Sequence, residues 1–139
     1  MFEPDGKGAW RHILIPRVGA GSEGFRPGAW SPAGHHIVGI TDQTGQLIVY
    51  DVDQRTHQEL GLAGFETPGE SAWLPDGRRI ITVQRGNLVM VDLESKQVSM
   101  VLDTPGSQTI RQPRLTADGR HLFYIQIVPE SDIALMTMK

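Results

Sequence analysis

Repeated antiparallel β-sheet is the architecture this sequence predicts, and three observations predict it. Sixteen Gly and nine Pro punctuate 139 residues, and no stretch between them sustains a helical period. The apolar runs are short and β-branched, as in "HIVGI", "QLIVYDV", "RRIITV", "NLVMVDL", "HLFYIQIV" and "DIALMTM", which is the signature of strands between turns. Finally, the chain repeats itself. "AWSPAGHHIVGI" from Ala29, "AWLPDGRRIITV" from Ala72 and "PRLTADGRHLFYI" from Pro113 align, with Trp30, Trp73 and Arg114 as anchors spaced by 43 and 41 residues.

Each anchor is followed by a turn, an apolar strand, a short polar loop and a second apolar strand. A third, more polar strand then follows, "RTHQEL" in the first unit and "KQVSMVL" in the second. In "PDG" and "ADG" the aspartate can bond the turn backbone and the glycine can take positive φ; Ala33 replaces that aspartate in the first unit, where a weaker turn is expected. Four short strands in about 40 residues make one blade of a β-propeller. Inner strands such as "LIVY" and "LVMV" are apolar at every position, as strands covered on both faces must be.

The predicted order is therefore a single β-propeller-type domain over 1–139. Residues 1–17 supply an outer strand of a preceding or partner blade, with "WRHILIP" as its core. Residues 18–60 form blade 1, 61–102 blade 2, and 103–139 a blade 3 that lacks its outer strand. About three blade equivalents are half of a six-bladed ring and too few to close one, since rings have about four to eight blades. A homodimer completing the ring is one expectation; a longer propeller chain is the other.

The repeats "AWSPAGHHI" and "AWLPDGRRI", each leading to "LIVYDV" or "LVMVDL", resemble the W-S-P-D-G-K units of TolB-type, WD-repeat-like propellers. The closing "PESDIALMTMK" is similar to the last strand of such propellers, with Ala134 where the family tends to have an aromatic residue. The resemblance spans about residues 28–139. It implies a non-enzymatic scaffold that binds a protein or peptide. The alternative it carries is an accessory or sensor propeller of a larger enzyme, a prolyl-oligopeptidase-like peptidase or a bacterial kinase, or, further off, an enzyme working at the propeller axis.

Composition narrows the chemistry. A net charge of −3 argues against nucleic acid as partner. The absence of cysteine removes thiolate ligands, cysteine nucleophiles and disulfides. "MFEPDGKGAW" is not a signal peptide, and no apolar run approaches a membrane span; a cytoplasmic location is expected of a complete chain, a periplasmic one of a piece of an exported protein.

Individual motifs resolve toward structure. Gly19, Gly21 and Gly24 spell G-x-G-x-x-G after a predicted strand, but "FRPGAWSPAG" cannot start the helix a dinucleotide site needs. His35 and His36 would point to opposite faces of a strand, so neither a metal nor any other cofactor is expected there. With Arg78, Arg79, Arg120 and His121 they occupy repeated positions after each turn, a solvated row or a basic arc. Asp51 and Asp92 also repeat, as do Asp76 and Asp118, which speaks for turns over catalysis, and no nucleophile elbow is present. No catalytic residue is expected. What remains is the loop face formed by connectors 18–28, 61–71 and 103–112, where Glu23, Phe25, Arg26, Phe65, Glu66 and Arg111 do not repeat and are the candidate partner contacts.

Overall fold

The computed structural model describes residues 2–4, 10–12, 14–18, 24–65, 71–104, 106, 108–128 and 133–138, with the backbone alone at 2–4, 10–12 and 133–138. All regular structure among them is strand. β1 (Phe2–Pro4) and β2 (Trp10–His12) form a separate antiparallel hairpin. Three meandering sheets follow. The first holds β3 (Phe25–Trp30), β4 (His36–Thr41), β5 (Leu47–Asp51) and β6 (Thr56–Glu59). The second holds β7 (Ser71–Trp73), β8 (Arg79–Gln84), β9 (Asn87–Asp92) and β10 (Val98–Leu102). The third has β11 (Thr109–Leu115), β12 (Leu122–Ile127) and β13 (Ile133–Met138). Neighbours in each sheet are neighbours in sequence, and β7 lies between β3 and β11. These are propeller blades, with their first strands innermost.

The predicted turns fold as their residues dictate. Gly34, Gly77 and Gly119 have φ of 78°, 67° and 70°, which side chains with a Cβ resist. Asp76 Oδ1 accepts the N–H groups of Arg78 and Arg79, and Asp118 Oδ1 accepts that of Arg120. At the first turn, where Ala33 offers nothing, the Ser31 hydroxyl accepts the N–H of His36.

One alignment is corrected. Ser31, Leu74 and Thr116 each donate a main-chain bond across the turn, to His36, Arg79 and His121. The residues just before them, Trp30, Trp73 and Leu115, pair with Ile37, Ile80 and Leu122. Leu115, and not Arg114, is thus the third anchor, because all three turns have the same length and only Leu115 keeps that register.

Burial follows the stacking. Val38, Ile40, Leu47 and Val49 of the first sheet pack with Trp73, Ile80, Val89 and Val91 of the second. The reverse side of the second sheet, Ile81 and Leu88, packs with Ile110, Leu122 and Tyr124 of the third. The Trp73 indole also crosses between blades, donating to the Ala29 carbonyl at 3.0 Å. Within the first sheet β3 bulges between Pro27 and Ala29 opposite Gly39. A Cβ at Gly39 would press on the Arg26 carbonyl and lie 2.7 Å from the Phe25 ring, so only glycine lets β3 approach β4 here.

Candidate functional site

The connectors and the β4–β5 and β8–β9 loops meet at one end of the blades, held there by main-chain bonds. Gly24 N–H donates to Asp42 Oδ1 at 3.0 Å and Asp42 N–H to the Gly24 carbonyl at 3.1 Å. Phe65 N–H donates to the Gly45 carbonyl, and Arg85 N–H to the Gly64 carbonyl. Thr104 ties the last connector down, its hydroxyl donating to the Gly86 carbonyl at 2.8 Å and its N–H to Asn87 Oδ1 at 3.0 Å. This end is a braced surface, each connector fixed to the hairpin of the blade before it or after it.

The candidate contact residues divide there. Arg26 is exposed on β3, and Arg111 is half-buried on β11 and held by a neighbour. Both stand on innermost strands, near the connector end. Phe25 instead packs edge-on against His57, with ring centroids 5.3 Å apart, on the outward face of the first sheet. Phe65 is 2% exposed and fills the core between the first two blades, so it shapes the face from beneath. Glu23 and Glu66 lie outside the described residues, as do Gly19 and Gly21 of the glycine motif. Gly24 leads straight into strand β3, where a dinucleotide site would need a helix.

Arg85 and Gln84, in a short loop that the sequence also places on this face, were not among the predicted contacts. Arg85 is exposed, takes φ of 50°, and sits against Gly64, where a Cβ would meet its Nε at 2.9 Å. Gln84 Nε2 donates to the Ala63 carbonyl at 2.7 Å. The signal for Arg85 was the "RGN" turn, whose two central residues both need positive φ. Two grooves were missed as well. One, of about 310 Å³, lies between the inner strands and is lined by Trp30, Pro32, Ser71, Trp73 and Arg114. The other, of about 280 Å³, opens between the first two blades beside His36, Gln58, Trp73, Arg78 and Glu94.

At the opposite end the repeated basic residues of the first two blades each face an acid. Arg78 grips Asp92 through Nε and Nη2 at 2.8–3.1 Å and reaches Glu94 at 3.4 Å. Arg79 pairs with Asp76 at 2.7 Å, His35 with Asp53 at 2.7 Å, and His36 with Asp51 at 3.4 Å. These positions therefore close turns against each other, and the repeated carboxylates are occupied. The Arg78 guanidinium and the N–H groups of Ser95 and Glu94 hold Asp92 far below the usual carboxylate range. Thr116 and the Arg120 N–H hold Asp118 down, and the Gln54 N–H lowers Asp51. For Asp76, burial pushes upward but the N–H groups of Arg78 and Arg79 outweigh it.

His57 behaves in the opposite way. Its ring lies 4.8 Å from Tyr50, its Nε2 is buried with no hydrogen-bond partner among the described residues, and burial lowers its pKa against the pull of Glu59. The folded state thus resists a proton that the unfolded chain accepts below the ordinary value of 6.5, so stability falls as pH drops through 6.5. The aspartates have depressed pKa values, so their contribution stays whole above 3.8 and is lost only as pH falls through their lower folded values. Thermal melts across this range should show both declines, and His57→Phe should remove the contribution near 6.5 while leaving the acid one. An unchanged pH profile in that variant would contradict the assignment.

No protein-family model matches the sequence, and no curated protein does. Solved structures do match. A protein assigned as TolB from Agrobacterium tumefaciens superposes with a TM-score of 0.68 at 20% identity, over 83% of this chain and 45% of that one. An oligogalacturonate lyase from Vibrio parahaemolyticus gives 0.61 at 18% identity, over 74% of this chain and 28% of its own. A prolyl endopeptidase gives 0.68 at 17% identity, over 96% of this chain and 23% of its own. The chain spans less than half the length of each. At such identities the likeness carries the fold, which is that of propeller blades.

Proposed function

We propose that these blades are a non-enzymatic scaffold that binds a protein or peptide across the connector end. The observation that carries this reading is the bracing of that end: Gly24–Asp42, Gly45–Phe65, Gly64–Arg85 and Thr104–Gly86 fix the loops that surround Arg26, Arg85 and Arg111. A rigid loop surface suits recognition, because little conformational freedom is lost on binding. The repeated carboxylates, by contrast, are engaged in closing turns. Panning a random peptide library on the immobilised chain tests the reading. Selected peptides should lose at least about tenfold in affinity on Arg26→Glu plus Arg111→Glu, a loss of ~1.4 kcal/mol, with the fold intact by far-ultraviolet circular dichroism. Peptides indifferent to both substitutions would refute it.

A second reading, an accessory propeller of a larger enzyme, is favoured by one observation, the 96% coverage of this chain by a prolyl endopeptidase. It requires coding sequence for a hydrolase domain continuous with this chain, which reading the flanking genome tests directly.

A further inference from the structure

We propose that the outer edge of the middle blade, strand β10, is a self-complementary docking surface, where a second copy of this chain adds its own β10 in antiparallel fashion. β10 ends its sheet, with β9 on one side and no strand on the other among the described residues. The Asp92 N–H donates to the Gln97 carbonyl, and Val98 stands opposite Val91. Hydrogen-bonded and non-bonded pairs alternate along an antiparallel ladder, so Val98 and Met100 turn their N–H and C=O groups away from β9, to the open edge. Their side chains are exposed as well, at 38% and 58%, beside Val91 and Val89 on the face turned to the first blade. Native sheets guard such an edge with charge or proline. The first blade does so, with Glu59 on β6 where β10 has Met100. β10 has neither guard from Val98 to Leu102.

The charges at the two ends of the strand identify the partner. Lys96 precedes it and Asp103 follows it; both are exposed, and neither has an ion pair among the described residues. A twofold axis through Ser99 sets Val98 of one copy against Met100 of the other, so the open N–H and C=O groups satisfy each other. The ladder to β9 shifts between Met100 and Leu102, which makes Val101 an extra residue. That bulge sets Asp103 one place nearer the axis than its number suggests, and so opposite Lys96 of the second copy. The edge thus matches itself: a shared strip of Val98 and Met100, closed at each end by a Lys96–Asp103 pair of opposite charge. This rim contact differs from ring closure and draws on neither end of the chain. On the face of the first sheet that a further blade would cover, Ile37, Ile48 and Tyr50 are already 0–1% exposed, with Phe25 and His57 against Tyr50.

Size-exclusion chromatography with light scattering on the full chain, across submillimolar concentrations, is the test. The wild type should reach twice the mass of 15.3 kDa. Met100→Lys should return it to a single chain with an unchanged far-ultraviolet spectrum, because an edge lysine repels an added strand. Lys96→Asp alters only an exposed turn and should weaken the dimer about tenfold, since it sets like charges opposite each other. Adding Asp103→Lys to that variant reverses both charges and should restore the wild-type dimer, which a merely structural role for Lys96 does not predict. A monomeric wild type, an open-ended assembly, a dimer indifferent to both Met100→Lys and Lys96→Asp, or a double variant no tighter than Lys96→Asp alone would overturn the proposal. Peptide binding at the connector end is read separately, so the failure of one leaves the other standing.

Discussion

Trp73→Ala should unfold the chain or leave it barely stable. Trp73 is 9% exposed and sits in the core between the first two blades with Val38, Val49, Ile80 and Val91. Truncating a buried aromatic to alanine costs about 3–5 kcal/mol, through lost burial and the cavity left behind. The Ala29 carbonyl also loses its donor. Against a total stability of roughly 5–15 kcal/mol, that is a large share. Urea melts of Trp73→Ala and Trp73→Phe separate the two parts, since Phe keeps most of the volume and should cost only ~1 kcal/mol for the hydrogen bond plus a small packing defect. Equal losses in both would mean that the cross-blade bond, and not the packing, dominates.

Gly39→Val is the second large effect, and its cause is different. A Cβ at position 39 would press on the Arg26 carbonyl and the Phe25 ring. Backbone cannot step aside as a flexible side chain can, so β3 must lift from β4 or the bulge at Gly28 must rearrange. Overpacking of this kind costs about 1–3 kcal/mol, and a β-branched residue should reach the upper end. Gly39→Ala should cost less but keep the same sign. Amide exchange on Phe25–Trp30 would show faster opening of β3 in both variants; a neutral Gly39→Val would mean the contact is relieved at no cost.

The contrast between these two positions shows what the sequence makes legible. Apolar runs between turn signals located β4, β5, β8, β9, β12 and β13, because burial on both faces leaves no polar residue in "LIVY" or "LVMV". Asp76–Gly77 and Asp118–Gly119 announced turns through local chemistry alone. The Trp30 and Trp73 anchors were visible as a repeat, but the third was placed one residue early, on Arg114. Its register is set by the Thr116–His121 bond across the turn, and "RL" does not resemble "AW". Gly39 was invisible because its reason is another strand's carbonyl. At the candidate face, Arg26 and Arg111 could be singled out as residues outside the repeat. That Phe25 and Phe65 turn inward depends on which side of the strand or connector they leave, and a connector has no period from which to read it.

The two-sided burial of the middle blade has one more consequence. Ile80 belongs to the core shared with the first blade and Ile81 to the core shared with the third, and both are apolar and β-branched. In a sheet with one wet face, a slip by one residue exposes every apolar side chain and is punished at once. In β8 such a slip would exchange Ile80 for Ile81 and meet grease on either side. Hydrophobicity therefore holds almost no information about alignment here. That information resides in a few polar atoms at the strand ends: the Asp76 carboxylate closing its turn, the Ser71–Thr82 hydroxyl contact at 2.9 Å, and the grip of Arg78 on Asp92. These small groups, which add little area to the core, decide which of two equally greasy arrangements the middle blade adopts.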